Sequence, residues 1–272
     1  MKTVDILGVP IAATNLTEAV GRIDAWIRDE RRTYVTVTGV HGVMECRRDE
    51  SVRRCHQAAG MCVPDGMPTV WIGRARGHRQ MQRVYGPDLM LALMRASLER
   101  GYTHFFYGGK AGVAAALRDR LTARFPGLKV VGTLSPPFRP MTEPEEEALA
   151  ERLAAAAPDV LWVGLSTPKQ ERWMAAHVGK VNAKVMIGVG AAFDFHTGRL
   201  RQAPRWMQRA GLEWLFRVCV EPRRLWRRYL RNNAEFICCL FGQAVGVRGS
   251  ATNGRPGRGK STWHRLKTHA SW

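Results

Sequence analysis

No run of apolar residues in this chain reaches the roughly 18 that a membrane-spanning helix needs, so a membrane span is not expected. The six cysteines (Cys46, Cys55, Cys62, Cys219, Cys238 and Cys239) include no pair at CxxC spacing and no accompanying histidine cluster. Neither a zinc site nor a thiol redox motif is therefore indicated, and a reducing cytosol is the expected compartment. The chain starts directly on a short apolar stretch, Val4 to Val9, without a basic leader and cleavage site, so secretion is not expected. Neither the GxGxxG dinucleotide fingerprint nor a P-loop is present, which argues against hydride transfer. Acidic residues are scarce at one end. Residues 201–272 contain 15 Arg and Lys against 3 Glu, so twelve of the nineteen net positive charges sit in that quarter. Such a block suits anionic lipid, an acidic substrate or nucleic acid, and charge alone does not choose among them.

What is present is a globular chain of 272 residues, 45% hydrophobic, long enough to bury a proper core. Apolar runs bounded by Gly or Pro recur at Tyr34 to Thr38, His104 to Tyr107, Lys129 to Val131, Val160 to Gly164 and Val185 to Gly190, separated by helical stretches. That alternation predicts an α/β fold, a Rossmann-like and mostly parallel sheet flanked by helices. Thr142 ahead of a glutamate-rich first turn predicts a capped helix carrying Leu149 and Leu153 inward. Pro222 predicts the first turn of a basic amphipathic helix through Arg231, with Trp226 and Leu230 sharing one side. The expected organisation is a catalytic core over 1–200, a helical basic appendage over 201–245 and a disordered basic tail over 246–272.

Several turns carry candidate chemistry. Val63-Pro-Asp-Gly-Met67 places Asp65 after a strand, where a carboxylate serves either as a general base on a sugar hydroxyl or as an ordinary Asp-Gly turn residue. Arg83 offers a fork of donors to a diphosphate, and Asp88 is expected to cap a helix from Leu89. Gly108 and Gly109, between a strand and an alanine-rich helix, would let backbone amides approach a nucleotide phosphate, or they form a plain strand-helix turn. Ser166-Thr-Pro-Lys-Gln-Glu171 follows another strand, so Lys169 and Gln170 are candidates to reach a ligand at the sheet edge, with Ser166 or Thr167 capping. Asp194, between Phe193 and Phe195, reads equally as an active-site or a structural carboxylate.

Taken together, Pro64-Asp-Gly66, Gly164-Leu-Ser-Thr-Pro-Lys-Gln-Glu171, Gly190-Ala-Ala-Phe-Asp-Phe195, Arg201-Gln-Ala-Pro-Arg-Trp206, Gly211-Leu-Glu-Trp214 and Glu221-Pro-Arg-Arg-Leu-Trp-Arg-Arg-Tyr229 resemble the WecG/TagA/CpsF family of bacterial glycosyltransferases, glycosyltransferase family 26. The resemblance runs from about Thr36 to Leu240. It implies inverting, metal-independent transfer from a UDP-sugar (N-acetylmannosamine, glucose or a related hexose) to a saccharide on a polyprenyl diphosphate, at the cytoplasmic face of the membrane and without a cofactor. It also implies that Asp65 is the general base, that Thr38, Arg83, Gln170 and Asp194 surround the pocket, and that Arg217, Arg224, Arg227 and Arg228 belong to an appendage meeting membrane or diphosphate. Members of the family self-associate in some cases, so a homo-oligomer is a possible state.

One departure stands out. Where many members have Thr-x-Asn, this chain has Thr38-Gly-Val-His41, so the Asn position falls on Val40, which has no hydrogen-bonding side chain. His41 is then a candidate to substitute as a polar group or to share the base role. The competing reading from another class is a basic nucleic-acid-binding protein with steeply salt-dependent binding. No recognised nucleic-acid motif accompanies the charge, so nucleic acid is not an expected partner.

Overall fold

A computed structural model describes residues 1–244. Its centre is an eight-stranded sheet of order β1-β2-β4-β3-β8-β7-β5-β6. The strands are β1 (Thr3–Ile6), β2 (Val9–Ala12), β3 (Thr33–Thr38), β4 (Met61–Pro64), β5 (Thr103–Gly108), β6 (Lys129–Leu134), β7 (Val160–Gly164) and β8 (Val185–Gly188). Only the β1–β2 pair is antiparallel; the other six pairings are parallel. The helices are α1 (Leu16–Arg28), α2 (Val40–Arg48), α3 (Glu50–Ala58), α4 (Met67–Ala75), α5 (Gly86–Arg100), α6 (Val113–Arg124), α7 (Glu143–Ala156), α8 (Lys169–His177), α9 (Ala192–His196), α10 (Arg205–Arg209), α11 (Glu213–Val220) and α12 (Pro222–Ala244).

Side chains along a strand alternate between faces, and both faces here are apolar because both are covered. Phe106, Trp162, Val185 and Ile187 join the core beneath α1, α5 and α6, while Phe105, Tyr107, Leu161, Val163 and Met186 join the core beneath α7 and α8. A third cluster, at the antiparallel edge, gathers Val4, Ile6, Val9, Ile11, Val43 and Met44 and receives Phe236 from α12. The C-terminal helix is thus built into the core at that edge, and Arg48 on α2 pairs with Glu235 at 2.5 Å.

The α/β class and the mostly parallel sheet match the expectation, and local differences have physical causes. Val4 to Val9 is a hairpin rather than one strand, because Leu7 and Gly8 both adopt positive φ (53° and 87°) and the Asp5 carboxylate accepts the Gly8 amide at 3.1 Å. The strand expected to end at Val131 continues to Leu134 alongside β5, and the one expected to reach Gly190 stops at Gly188. Helix α5 starts at Gly86 with Tyr85 at its N-cap, so Asp88 lies inside the first turn and forms a two-pronged pair with Arg205 (2.8 and 3.1 Å) instead of capping. Thr142 does cap α7, in a reciprocal box with Glu145. The helix opened by Pro222 runs past Arg231 to Ala244, since Phe236 continues its buried side. The stretch 246–272 lies outside the described residues.

Candidate active site

In a parallel sheet the loops that leave the carboxyl ends of the strands share one edge, and ligands bind there. The loops after β3, β4, β5, β7 and β8 open at this edge into a cleft of about 1200 Å³, and α10, α11 and α12 line it too, with Gln208, Trp214, Arg217, Arg228 and Tyr229.

Asp65 sits one residue past β4. Its amide donates to the Thr38 carbonyl at 3.1 Å, which ties it to β3, and its own carbonyl accepts from Arg83 Nε. Oδ1 is buried with no hydrogen-bond partner among the described residues, and the nearest cationic nitrogen, Arg83 Nη2, is 3.7 Å away. The side chain keeps 32% of its exposure, so Oδ2 is the oxygen open to the cleft. Burial pushes the carboxyl up to about 6; Arg83 and Arg217 oppose this and Glu213 adds to it. The carboxylate therefore stays ionised near neutral pH while gaining affinity for a proton, as a general base requires.

His41 lies near the start of α2. The Asn232 side-chain amide donates to its Nδ1 at 3.0 Å, the tautomer being assigned from this network, and the ring also engages the Thr167 backbone. Burial, reinforced by the charge of Arg228, holds the imidazole down to about 4. At neutral pH the ring is uncharged and joins α2, α12 and the β7–α8 loop.

The remaining sequence candidates divide by where the fold puts them. Thr38 faces away from the cleft, its hydroxyl paired with Thr36 at 2.9 Å in the buried sheet, because residues two apart on a strand share a face. Gly108 lies against β7: a Cβ there would lie 2.5 Å from the Gly164 carbonyl oxygen, so the position requires glycine. Gly109 reaches the cleft, but its amide is already donated to that same oxygen at 3.0 Å. Both glycines allow the close approach of β5 to β7. Gln170 is buried as well. Its Nε2 donates to Glu171 at 3.0 Å and its Oε1 accepts the Gly190 amide at 3.0 Å, locking the loops after β7 and β8 together. Arg83 is held by protein carboxylate and carbonyl groups rather than presented as an open fork.

Lys169, Asp194, Arg217 and Arg228 line the cleft, as Arg83 and Gln170 also do, the guanidinium of Arg217 standing 5.9 Å from the Phe195 ring. Arg227 points outward and covers Trp226 at 5.2 Å. The backbone of Arg224 is helical, and its side chain lies outside what the structure describes. Among the described residues no group of three His, Cys, Asp or Glu side chains is arranged to hold a metal ion.

Three residues at the site carry interactions that reading the chain did not isolate. Glu171, buried, accepts from Thr167 Oγ1 at 2.8 Å and from Gln170; Glu213 pairs with Arg83; Asn232 binds His41. The first two stood inside motifs already noted, whereas Asn232 had no local signal, because its partner is 191 residues away.

Comparison with known proteins adds independent information. The family model described as Glycosyl transferase WecG/TagA/CpsF family matches residues 4–249. The chain is 26% identical over 231 residues to the N-acetylglucosaminyldiphosphoundecaprenol N-acetyl-beta-D-mannosaminyltransferase of Bacillus subtilis strain 168, covering 85% of this chain and 88% of that protein. It is equally similar, with the same coverage, to the protein of that name from Bacillus spizizenii.

Proposed function

This chain belongs to the WecG/TagA/CpsF family of glycosyl transferases, and from that premise we propose that it transfers a sugar from a UDP-sugar, with inversion, to a saccharide carried on a polyprenyl diphosphate. The observation that carries the reading is the Asp65 carboxylate, facing the cleft with one oxygen buried and unbonded and its proton affinity raised.

In the proposed reaction Oδ2 of Asp65 takes the proton of the acceptor hydroxyl as that oxygen forms its bond to the anomeric carbon. The bond from that carbon to the diphosphate oxygen breaks on the opposite side, and the electron pair leaves with UDP. Arg217 and Arg228, which line the same cleft, are the cations assigned to the diphosphate charge, a contribution that is large where water is excluded. No metal is required by this scheme. Val40 lines the cleft where a hydrogen-bonding side chain is common in the family, and His41 beside it has its Nδ1 engaged by Asn232. The base role is therefore assigned to Asp65. UDP-N-acetylmannosamine, with N-acetylglucosaminyl diphosphate undecaprenol as acceptor, is the first pair to test, because the two similar proteins are named for that transfer.

Access to a lipid-linked acceptor is assigned to α12, in a protein peripheral to the inner membrane face. None of the described helices is long and apolar enough to cross a membrane. Trp226, Leu230, Ile237 and Phe241 nevertheless recur at spacings that keep them within one face of α12, and they are exposed, Leu230 at 58% and Phe241 at 68%. Arg223, Arg227 and Arg231 flank this stripe, the pattern of a helix lying in an anionic interface.

The test is UDP release by the purified protein with a panel of UDP-sugars and a synthetic lipid-diphosphate acceptor, with and without EDTA, alongside Asp65→Asn. Acceptor-dependent release that survives EDTA and is lost in Asp65→Asn supports the reading. Release that persists in Asp65→Asn removes the base assignment, and no release with any donor removes the substrate class.

A further inference from the structure

Glu213, the first residue of α11, has no role in the chemistry above, yet it controls the neighbourhood of Asp65 through one intermediary. A guanidinium presents five N–H donors in a rigid fork, and a carboxylate 3.7 Å from it would ordinarily draw that fork into a two-pronged pair. Here the fork is engaged elsewhere. Nε donates to the Asp65 backbone carbonyl, Nη2 to the Glu213 carboxylate and Nη1 to Gln208 Oε1 at 3.5 Å, while the guanidinium lies 4.0 Å over the Tyr85 ring. Both the carboxylate and the amide that engage the fork come from the C-terminal helices. As a result Oδ1 of Asp65 is buried beside a cation from which it receives no hydrogen bond.

We propose that Glu213 is a positioning residue: by engaging the Arg83 fork it keeps Oδ1 of Asp65 free of a hydrogen bond from that guanidinium, so the base is competent only while α11 is docked against the cleft. This rests on the reading of Asp65 as the base. The charged and polar groups facing Asp65 are Arg83 and the Gly86 amide from the segment opening α5, and Glu213 and Arg217 from α11. Removing Glu213 changes two of these in the same direction. Its own negative charge disappears, and Arg83 becomes free to bind Asp65, so the carboxyl loses proton affinity on both counts.

The experiment compares the pH dependence of kcat/KM in the unaltered protein, Glu213→Ala and Glu213→Gln, with Asp65→Asn as reference. The expected result is an acid limb displaced to lower pH by about one unit or more in Glu213→Ala and by less in Glu213→Gln, with kcat reduced on the plateau because a weaker base accepts the proton less readily. A second readout needs no turnover: ¹³C-carboxyl NMR of Asp-labelled protein, with the Asp65 resonance identified by its disappearance in Asp65→Asn, should show the same downward displacement. A fall in kcat with the limb and the Asp65 titration both unmoved overturns the proposal, since that is the signature of a merely structural role. If Asp65→Asn remains active, the base assignment fails, while the NMR titration still reports whether Glu213 governs that carboxyl. If Glu213→Ala does not fold, Glu213→Gln, nearly identical in shape, carries the comparison.

Discussion

The side-chain amide of Asn232, in the last described helix, donates to Nδ1 of His41, at the start of α2, across 3.0 Å and 191 residues of chain. This bond requires an unprotonated Nδ1, and the ring is accordingly held down to about 4 by burial and by Arg228. His104, whose Nδ1 accepts from Trp162 Nε1 at 3.1 Å in the core, is lowered to about 4 by burial as well.

The stability contributed by these two histidines should therefore fall as pH drops from about 6.5 to about 4. In that window the unfolded chain takes up protons that the folded protein refuses, so the folded state binds fewer. Replacing His41 with Asn should remove up to one proton, or about 1.4 kcal/mol per pH unit, from the slope. Urea unfolding at a series of pH values measures it, and an unchanged slope in His41→Asn would contradict the assignment.

Asp65→Asn should lower turnover by about 10²- to 10⁴-fold, the range associated with loss of a general base. The thermal midpoint should hold or rise, because a carboxylate whose charged form is disfavoured in the fold is replaced by a neutral amide. A large drop in midpoint would mark Asp65 as a structural residue instead.

In the unaltered protein kcat/KM should rise with pH through about 6 and level off above it. Asp65 is protonated and inactive below that value and ionised above it, since burial has raised its carboxyl to about 6. A limb near pH 4 would show that Arg83 pairs fully with Asp65 in solution.

Gly108→Ala should destabilise by at least about 2 kcal/mol. Its φ of 134° disfavours any side chain, and the added Cβ would meet the Gly164 backbone at 2.5 Å. Gly21→Ala, in α1 with no atom within 4 Å of the new Cβ, should instead stabilise by about 0.5–1 kcal/mol. Paired denaturant midpoints decide both.

Leu230→Asp together with Ile237→Asp should abolish co-sedimentation with anionic vesicles while leaving the thermal midpoint within a degree or two, because both side chains are more than half exposed. A chain ending at Arg201 should lose vesicle binding and most activity too, since it also lacks Gln208 and Glu213. Undiminished co-sedimentation of either protein would place the membrane contact elsewhere.

What the chain determined by itself is everything governed by near neighbours. Alternating apolar runs and helical stretches dictated the parallel sheet, Thr142 and Glu145 dictated a helix start, and the position of Asp65 after Val63-Pro64 placed a carboxylate at the carboxyl edge of a strand. Local patterning suffices there because periodicity, capping and turn chemistry act over a few residues. What only the tertiary structure decided is which polar groups are left for a ligand. Thr38, Gly109 and Gln170 look available in the sequence, but Thr36, the Gly164 carbonyl and the Glu171–Gly190 pair engage their polar groups. The raised carboxyl of Asp65 depends on burial, on Arg83 eighteen residues away and on Glu213 farther still. Hydrogen bonding and desolvation depend on distance in space, and the chain brings those partners together only when it folds.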